Sequence, residues 1–335
     1  MENKNKKRWL AAGLALIVFL ISAFSDGSKD IKERQEANFY DQARQRLMGA
    51  EDEVLYGTNK AQRIMVVNVD GLIANDDSND YIVEKLDEAL DDDTIKGVIL
   101  HVNSPGGSVY ASEKIAKKIE EVKEKNIPVY SVMQELAASG GYYISAPCDK
   151  IYASNETFTG SIGVIMQSYS LEGLFEKYGI KEQNIKTGKM KDAGSTGRDM
   201  DKEEKEYFQG LVDSAFSRFV KVVADGRDMS EDEVRKLADG RVYDGSQAVK
   251  NGLVDEIGDL DDAVADITEK GELFDPMVVE KNELANSFSK YFPEFSTNTE
   301  NPKSDLAILK EFMESEGNKP MYLYGAYNEW DKNRK

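Results

Sequence analysis

Cysteine and histidine are almost missing from these 335 residues: there is one of each, Cys148 and His101. A single thiol excludes an internal disulfide and a cysteine-based zinc site. A single imidazole excludes any site built on two, and it disfavours a Ser-His-Asp machine, because His101 alone would have to be the base. Basic charge is also scarce. Against 62 Asp and Glu stand 43 Lys and Arg, a formal net charge of −19, which argues against nucleic acid as a partner. Proline is rare at seven, and four of these (Pro276, Pro293, Pro302, Pro320) follow residue 275. Long apolar runs are limited to one, Trp9 to Phe24, which is uncharged and 16 residues long, short of the roughly 20 that span a bilayer core comfortably.

That run follows a basic cluster, Lys4 to Arg8. The pattern reads as a short signal anchor or a cleaved signal peptide. The strongly apolar Leu14 to Ile21 and the bulky Phe24 among the small residues Ser22, Ala23 and Ser25 favour the retained anchor. The positive-inside rule then places the cluster in the cytoplasm and the acidic body outside, with membrane lipid as one partner. The expected organisation is a basic stub over 1–8, a transmembrane signal anchor over 9–24, a juxtamembrane stalk over 25–62, a main domain over 63–275 and a flexible tail over 276–335. Leu306 to Met313 is a candidate short helix within the tail.

Between about 63 and 270 the hydrophobic period keeps switching between two and 3.6. Strands are expected at Arg63 to Asp70, Ile95 to Val102, Pro128 to Met133, Ile151 to Ala153, Gly163 to Met166 and from Ile180. Helices are expected at Tyr81 to Leu90, Ser108 to Lys125, Ala138 to Ala146, Leu171 to Tyr178 and Asp201 to Ala224, with a further one capped by Ser230 and Glu233. Such alternation means an α/β domain with a mainly parallel sheet and flanking helices.

In such sheets function gathers in the loops leaving strand C-termini, and three loops carry suitable chemistry. Asn103-Ser104-Pro105-Gly106-Gly107-Ser108 can present backbone N–H groups without Cβ obstruction; as an isolated segment it also reads as an ordinary turn capped by Ser108. Ala137-Ala138-Ser139-Gly140-Gly141 offers a hydroxyl followed by a free amide, which suits a nucleophile whose oxyanion is held by the next N–H; the plainer reading is a helix N-cap. Thr187-Gly188-Lys189-Met190-Lys191-Asp192-Ala193 places Lys191 among small residues. A lysine titrates near pH ~10.4 when solvated and needs burial to act as a base near neutrality; a solvated surface lysine is the ordinary alternative.

Taken in order, NSPGGS, ELAASGGYY, TGSIGV (Thr159 to Val164), TGKMKDAG and GRVYDGSQAVKNGLVDEIG (Gly240 to Gly258) resemble the signal peptide peptidase A family of membrane-anchored Ser-Lys serine proteases. The likeness runs over about 60–265. It implies a ClpP/crotonase-like fold, Ser139 as nucleophile, Lys191 as general base in preference to Lys189, Ser161 as the residue orienting the lysine, and an oxyanion hole drawn from Gly106 or Gly107 together with Gly140. It implies no cofactor and no metal. Signal peptides and other apolar or unfolded peptides are the expected substrates. The lone histidine agrees, since none follows Ser139.

Longer members of that family carry two tandem copies of this domain and share the Ser and Lys between them; this chain has one. The expectation is therefore a homo-oligomeric ring in which Ser139 of one subunit meets Lys191 of the next. The tail is expected to reach the groove as an inhibitory or self-cleaved segment. Two rival readings remain, a crotonase-like acyl-CoA enzyme and a catalytically silent membrane scaffold.

Overall fold

The computed structural model describes residues 53–75, 77–281 and 321–323. The expected stub, the anchor, most of the stalk and the candidate helix at 306–313 lie outside these residues. Among the described residues no helix is long and apolar enough to cross a membrane.

Among the described residues ten strands form one branched sheet: β1 (Glu53–Tyr56), β2 (Asn59–Ile73), β3 (Ile95–Ser108), β4 (Val129–Ala138), β5 (Lys150–Ala153), β6 (Phe158–Gly160), β7 (Val242–Asp244), β8 (Glu256–Ile257), β9 (Pro276–Lys281) and β10 (Met321–Leu323). The main path runs β1-β9-β2-β3-β4-β5-β8, and every pairing along it after β1 is parallel. Strand β3 is buried along nearly its whole length, as expected of a parallel strand covered on both faces. Its Ile, Val and Leu residues divide between two cores. One core packs Met65, Leu100, Val102 and Met133 against helices; the other packs Ile64, Ile99, Tyr130 and Val278 against Val264 and Ile267.

Helices α1 (Asp77–Asp91), α2 (Val109–Glu124), α3 (Gly140–Ser145), α4 (Glu172–Tyr178), α5 (Lys202–Gly226), α6 (Glu231–Leu237), α7 (Gly245–Lys250) and α8 (Leu260–Lys270) flank the sheet. In α2, Ala111, Ile115, Ile119 and Val122 recur at helical spacing and are buried. In α5 the buried positions (Ala215, Phe219, Val220, Val223, Ala224) lie in the C-terminal half, apart from Glu204. Its N-terminal half leaves Tyr207 and Leu211 exposed. The Ser230–Glu233 capping box of α6 is formed.

Four sequence expectations are corrected. The tail does not begin at 276, because Pro276–Lys281 is β9, wedged between β1 and β2. Proline fits there because it is the first residue of the strand, where its missing N–H costs least. The stalk does not extend to 62, because β1 and the start of β2 already belong to the sheet. Gly163 to Met166 and the segment from Ile180 form no strands.

Candidate active site

Strand β4 is where the sheet branches. Tyr130 to Met133 pair with β5, while Leu136 to Ala138 pair with β6. The Thr159 hydroxyl donates to the Ala137 carbonyl at 2.7 Å and fixes β6 alongside. Ser139 leaves this strand at φ 54°, ψ −113° and immediately precedes α3. A non-glycine residue at such dihedrals is strained. The strain is held by the Ser139 N–H donating to Gly160 O at 2.8 Å and by the Tyr143 N–H donating to Ser139 O at 2.8 Å.

The N-cap reading of Ser139 does not hold: its hydroxyl makes no cap hydrogen bond. Although only 1% exposed, Ser139 Oγ has no hydrogen-bond partner among the described residues. Buried hydroxyls are normally satisfied, so an orphan on a strained turn makes Ser139 a candidate nucleophile.

Ser161 is brought next to this turn, since it follows Gly160. It too has a positive φ, 49°, and its N–H donates to Arg241 O at 2.8 Å. Strand β7 pairs antiparallel to β6, and the Tyr142 hydroxyl donates to Leu253 O at 2.9 Å. The Gly240 to Gly258 segment therefore buttresses both serines.

The Gly106–Gly107 pair lies against the residue after Ser139. A Cβ placed on Gly140 would stand 3.0 Å from both Gly106 Cα and Gly107 N, and 2.8 Å from the buried Ser112 Oγ. The Gly106 N–H donates to Ser104 Oγ at 3.1 Å, and that hydroxyl donates on to Gly71 O at 2.6 Å. Ser104 is thus a site residue that sequence reading passed over; its position two before a Gly-Gly turn was the available signal. The Ser108 cap reading of this loop is borne by a long contact, 3.5 Å from Ala111 N to Ser108 Oγ.

Lys191 lies in a 3-10 turn, Lys189–Asp192. It is exposed, and no hydrogen bond joins it to Ser139 within the chain. Its neighbours are engaged: Lys189 pairs with Glu203, and Lys186 pairs with Asp192. The Asp192 carboxyl is held at about 2, first by Lys186, and the Glu204 carboxyl at about 2, first by Arg198. Both acids are depressed from ordinary values of 3.8 and 4.5. Their contribution to order is therefore complete above about pH 4.5 and is lost as pH falls toward 2. Circular dichroism and activity after brief acid exposure should both show this window.

His101 sits half-buried within β3. Burial is the main influence and pushes its imidazole below the ordinary value, against Glu280 and Asp70, which favour the charged form. It is not linked to Ser139. Cys148 is buried and its thiol is pushed up by that burial, an inert core residue.

Strand β10 pairs antiparallel with the glycine loop, Met321 opposite Ser108, Tyr322 opposite Gly107 and Leu323 opposite Gly106. A segment of the chain's own tail thus lies along the strand beside Gly140.

Residues 121–273 match the model of peptidase family S49, and residues 41–157 match that of Clp protease. The chain is 38% identical, over 96% of its length and 99% of the relative's, to a protein of Enterococcus faecium named for signal peptide peptidase SppA. It is 46% identical to a protease of Methanocaldococcus jannaschii over 60% of this chain and 64% of that one. It is 39% identical to Protease 4 of Haemophilus influenzae over 62% of this chain but only 34% of that longer one.

Proposed function

The chain belongs to the signal peptide peptidase A family of S49 serine proteases, and we propose that it cleaves peptides with a Ser139–Lys191 dyad assembled between neighbouring subunits. The observation that carries this reading is the pair of unpartnered groups. Among the described residues Ser139 Oγ is buried without a hydrogen bond, and Lys191 is the lysine of its loop left free of a carboxylate. A lysine serves as base only once desolvated, and within the chain Lys191 is exposed. A neighbouring subunit would cover it.

The surface around that loop supports such a neighbour. Helix α4 has no buried residue, and Leu174, Tyr178, Ile180 and Ile185 are exposed together with Tyr207 and Leu211. Apolar surface gathered in one stretch of chain marks an association face. A head-to-tail contact that closes gives a ring.

In the proposed reaction, neutral Lys191 takes the proton from Ser139 Oγ as that oxygen attacks a peptide carbonyl. The oxyanion is held by the amides of Gly140 and Gly107; the Gly106 amide is already committed to Ser104 Oγ. Lys191 then gives its proton to the leaving amine, and water hydrolyses the acyl-enzyme. Ser161 orients the ammonium. Remnant signal peptides and other apolar or unfolded peptides are the substrates this reading favours, met at the extracytoplasmic face of a membrane to which residues 9–24 anchor the chain.

Mixing Ser139→Ala chains with Lys191→Ala chains tests the shared site. Casein hydrolysis should return when the two are co-assembled, because some interfaces then join an intact Ser139 to an intact Lys191. No recovery, with subunit exchange demonstrated by native mass spectrometry, sinks it.

The pairing of β10 with Gly106–Ser108 supports a second role for the tail, as an occupant of the substrate strand. A peptide that binds by strand addition would use the same backbone edge. Ending the chain at Asn318 should lower KM for a short peptide several-fold and leave the melting temperature unchanged. An unchanged KM would show that β10 does not compete with substrate.

A further inference from the structure

We infer that Arg198 is a positioning residue that aims Lys191 into the active site, an assignment that rests on the dyad reading above. The guanidinium clasps two carboxylates at once. One nitrogen donates to Glu204 Oε2 at 2.8 Å and the other contacts Glu204 Oε1. The second nitrogen also donates to the Asp192 carbonyl oxygen at 3.3 Å and to Asp192 Oδ1 at 3.2 Å. Asp192 is the residue directly after Lys191, and here both its backbone and its side chain are gripped.

The other end of the clasp is fixed. Glu204 is only 2% exposed, and it closes the capping box of α5: Asp201 N–H donates to Glu204 Oε2 at 2.9 Å, and Glu204 N–H donates to Asp201 Oδ1 at 2.9 Å. A rigid helix end, a buried carboxylate, a planar fork and the Asp192 peptide thus form one continuous chain of contacts leading to Lys191. From the far side, Lys186 holds Asp192 Oδ1 and donates to Lys189 O at 3.1 Å, while Asn184 Nδ2 donates to Asp192 Oδ2 at 3.3 Å.

Isolated surface ion pairs contribute little. This arrangement differs because a bidentate fork on a buried carboxylate defines direction as well as energy. The turn it holds has no buried residue of its own, so the contacts on Asp192 set where Lys191 points, and among them the Arg198 fork is the one tied to a buried carboxylate and a helix end. A base displaced by about 1 Å costs on the order of 100-fold in rate.

The test uses the full chain and three variants, with kcat and KM measured on a fluorogenic peptide from pH 6 to 10. Arg198→Ala should lower kcat on the order of 10- to 100-fold, leave KM within about twofold, and flatten the rise of kcat with pH. Because that change strands the buried Glu204, the double variant Arg198→Met, Glu204→Gln removes both charges. It should melt near wild type and show the same kcat loss. Arg198→Lys should recover little, since one ammonium cannot bridge both acids. In co-assembly, Arg198→Ala should abolish recovery when carried by the chain donating Lys191, and spare it when carried by the chain donating Ser139. Wild-type kcat and pH dependence in a folded Arg198 variant, beside an inactive Lys191→Ala, overturns the positioning role alone. An active Lys191→Ala overturns the dyad and the inference with it.

Discussion

Ser139→Ala protein will fold, assemble and hydrolyse nothing, with kcat down at least about 10⁴-fold. The substitution removes a buried hydroxyl that has no hydrogen bond among the described residues, so it relieves an unsatisfied group instead of breaking a contact. Its melting temperature should equal or exceed that of wild type. This opposition between stability and activity separates a nucleophile from a structural serine, whose loss would lower both. Lys191→Ala should lose about 10³-fold in kcat, in line with removal of a general base. It should also lose the rise of activity with pH, because a lysine accepts a proton only when deprotonated. Lys189→Ala, which removes an exposed pair with Glu203, should retain most activity. Equal losses at 189 and 191 would contradict the assignment.

Gly107→Ala will be more damaging than Gly106→Ala. A Cβ on Gly107 would lie 2.0 Å from Ile73 O and 2.7 Å from Ile73 C. Both are backbone atoms of the paired strand, Ile73 standing opposite Gly107 in the β2–β3 ladder, so no side-chain rotation relieves the clash. The loop must move away from Gly140. Loss of one oxyanion donor costs about 100- to 1,000-fold in kcat, and displaced strand pairing adds a stability loss on the order of a few kcal/mol. The comparison to make is Ser104→Ala. It frees the Gly106 amide and the Gly71 carbonyl without adding bulk, and should reduce kcat by about tenfold with the fold retained. Measuring kcat and thermal melting on all three variants resolves donor loss from clash.

The place of the candidate nucleophile in the fold was legible before the structure. A serine between alanine and glycine was expected at a strand-to-helix junction, and Ser139 sits at one; the strain of that turn was not foreseen. The strand-helix alternation likewise foretold the parallel sheet. What was not legible depends on contacts that form only once the chain is folded. The choice between Gly106 and Gly107 turns on where the Ser104 hydroxyl points. Pro276 read as a breaker, yet it opens β9 because two other strands stand ready to pair with it. The apolar residues from Ile180 read as a strand, but the segment pairs with no strand among the described residues, and Ile180 and Ile185 are exposed instead. Arg198 was missed because its partners are a capping glutamate and the aspartate after Lys191, a relation visible only once α5 and the turn are folded together.

The most direct measurement is active-site labelling. Wild-type protein is treated with a fluorophosphonate, and the modified residue is located by peptide mass spectrometry. The adduct should fall on Ser139, be absent from Ser139→Ala, and form far more slowly on Lys191→Ala. An adduct on another serine, together with undiminished proteolysis by Ser139→Ala, would contradict Ser139 as the nucleophile.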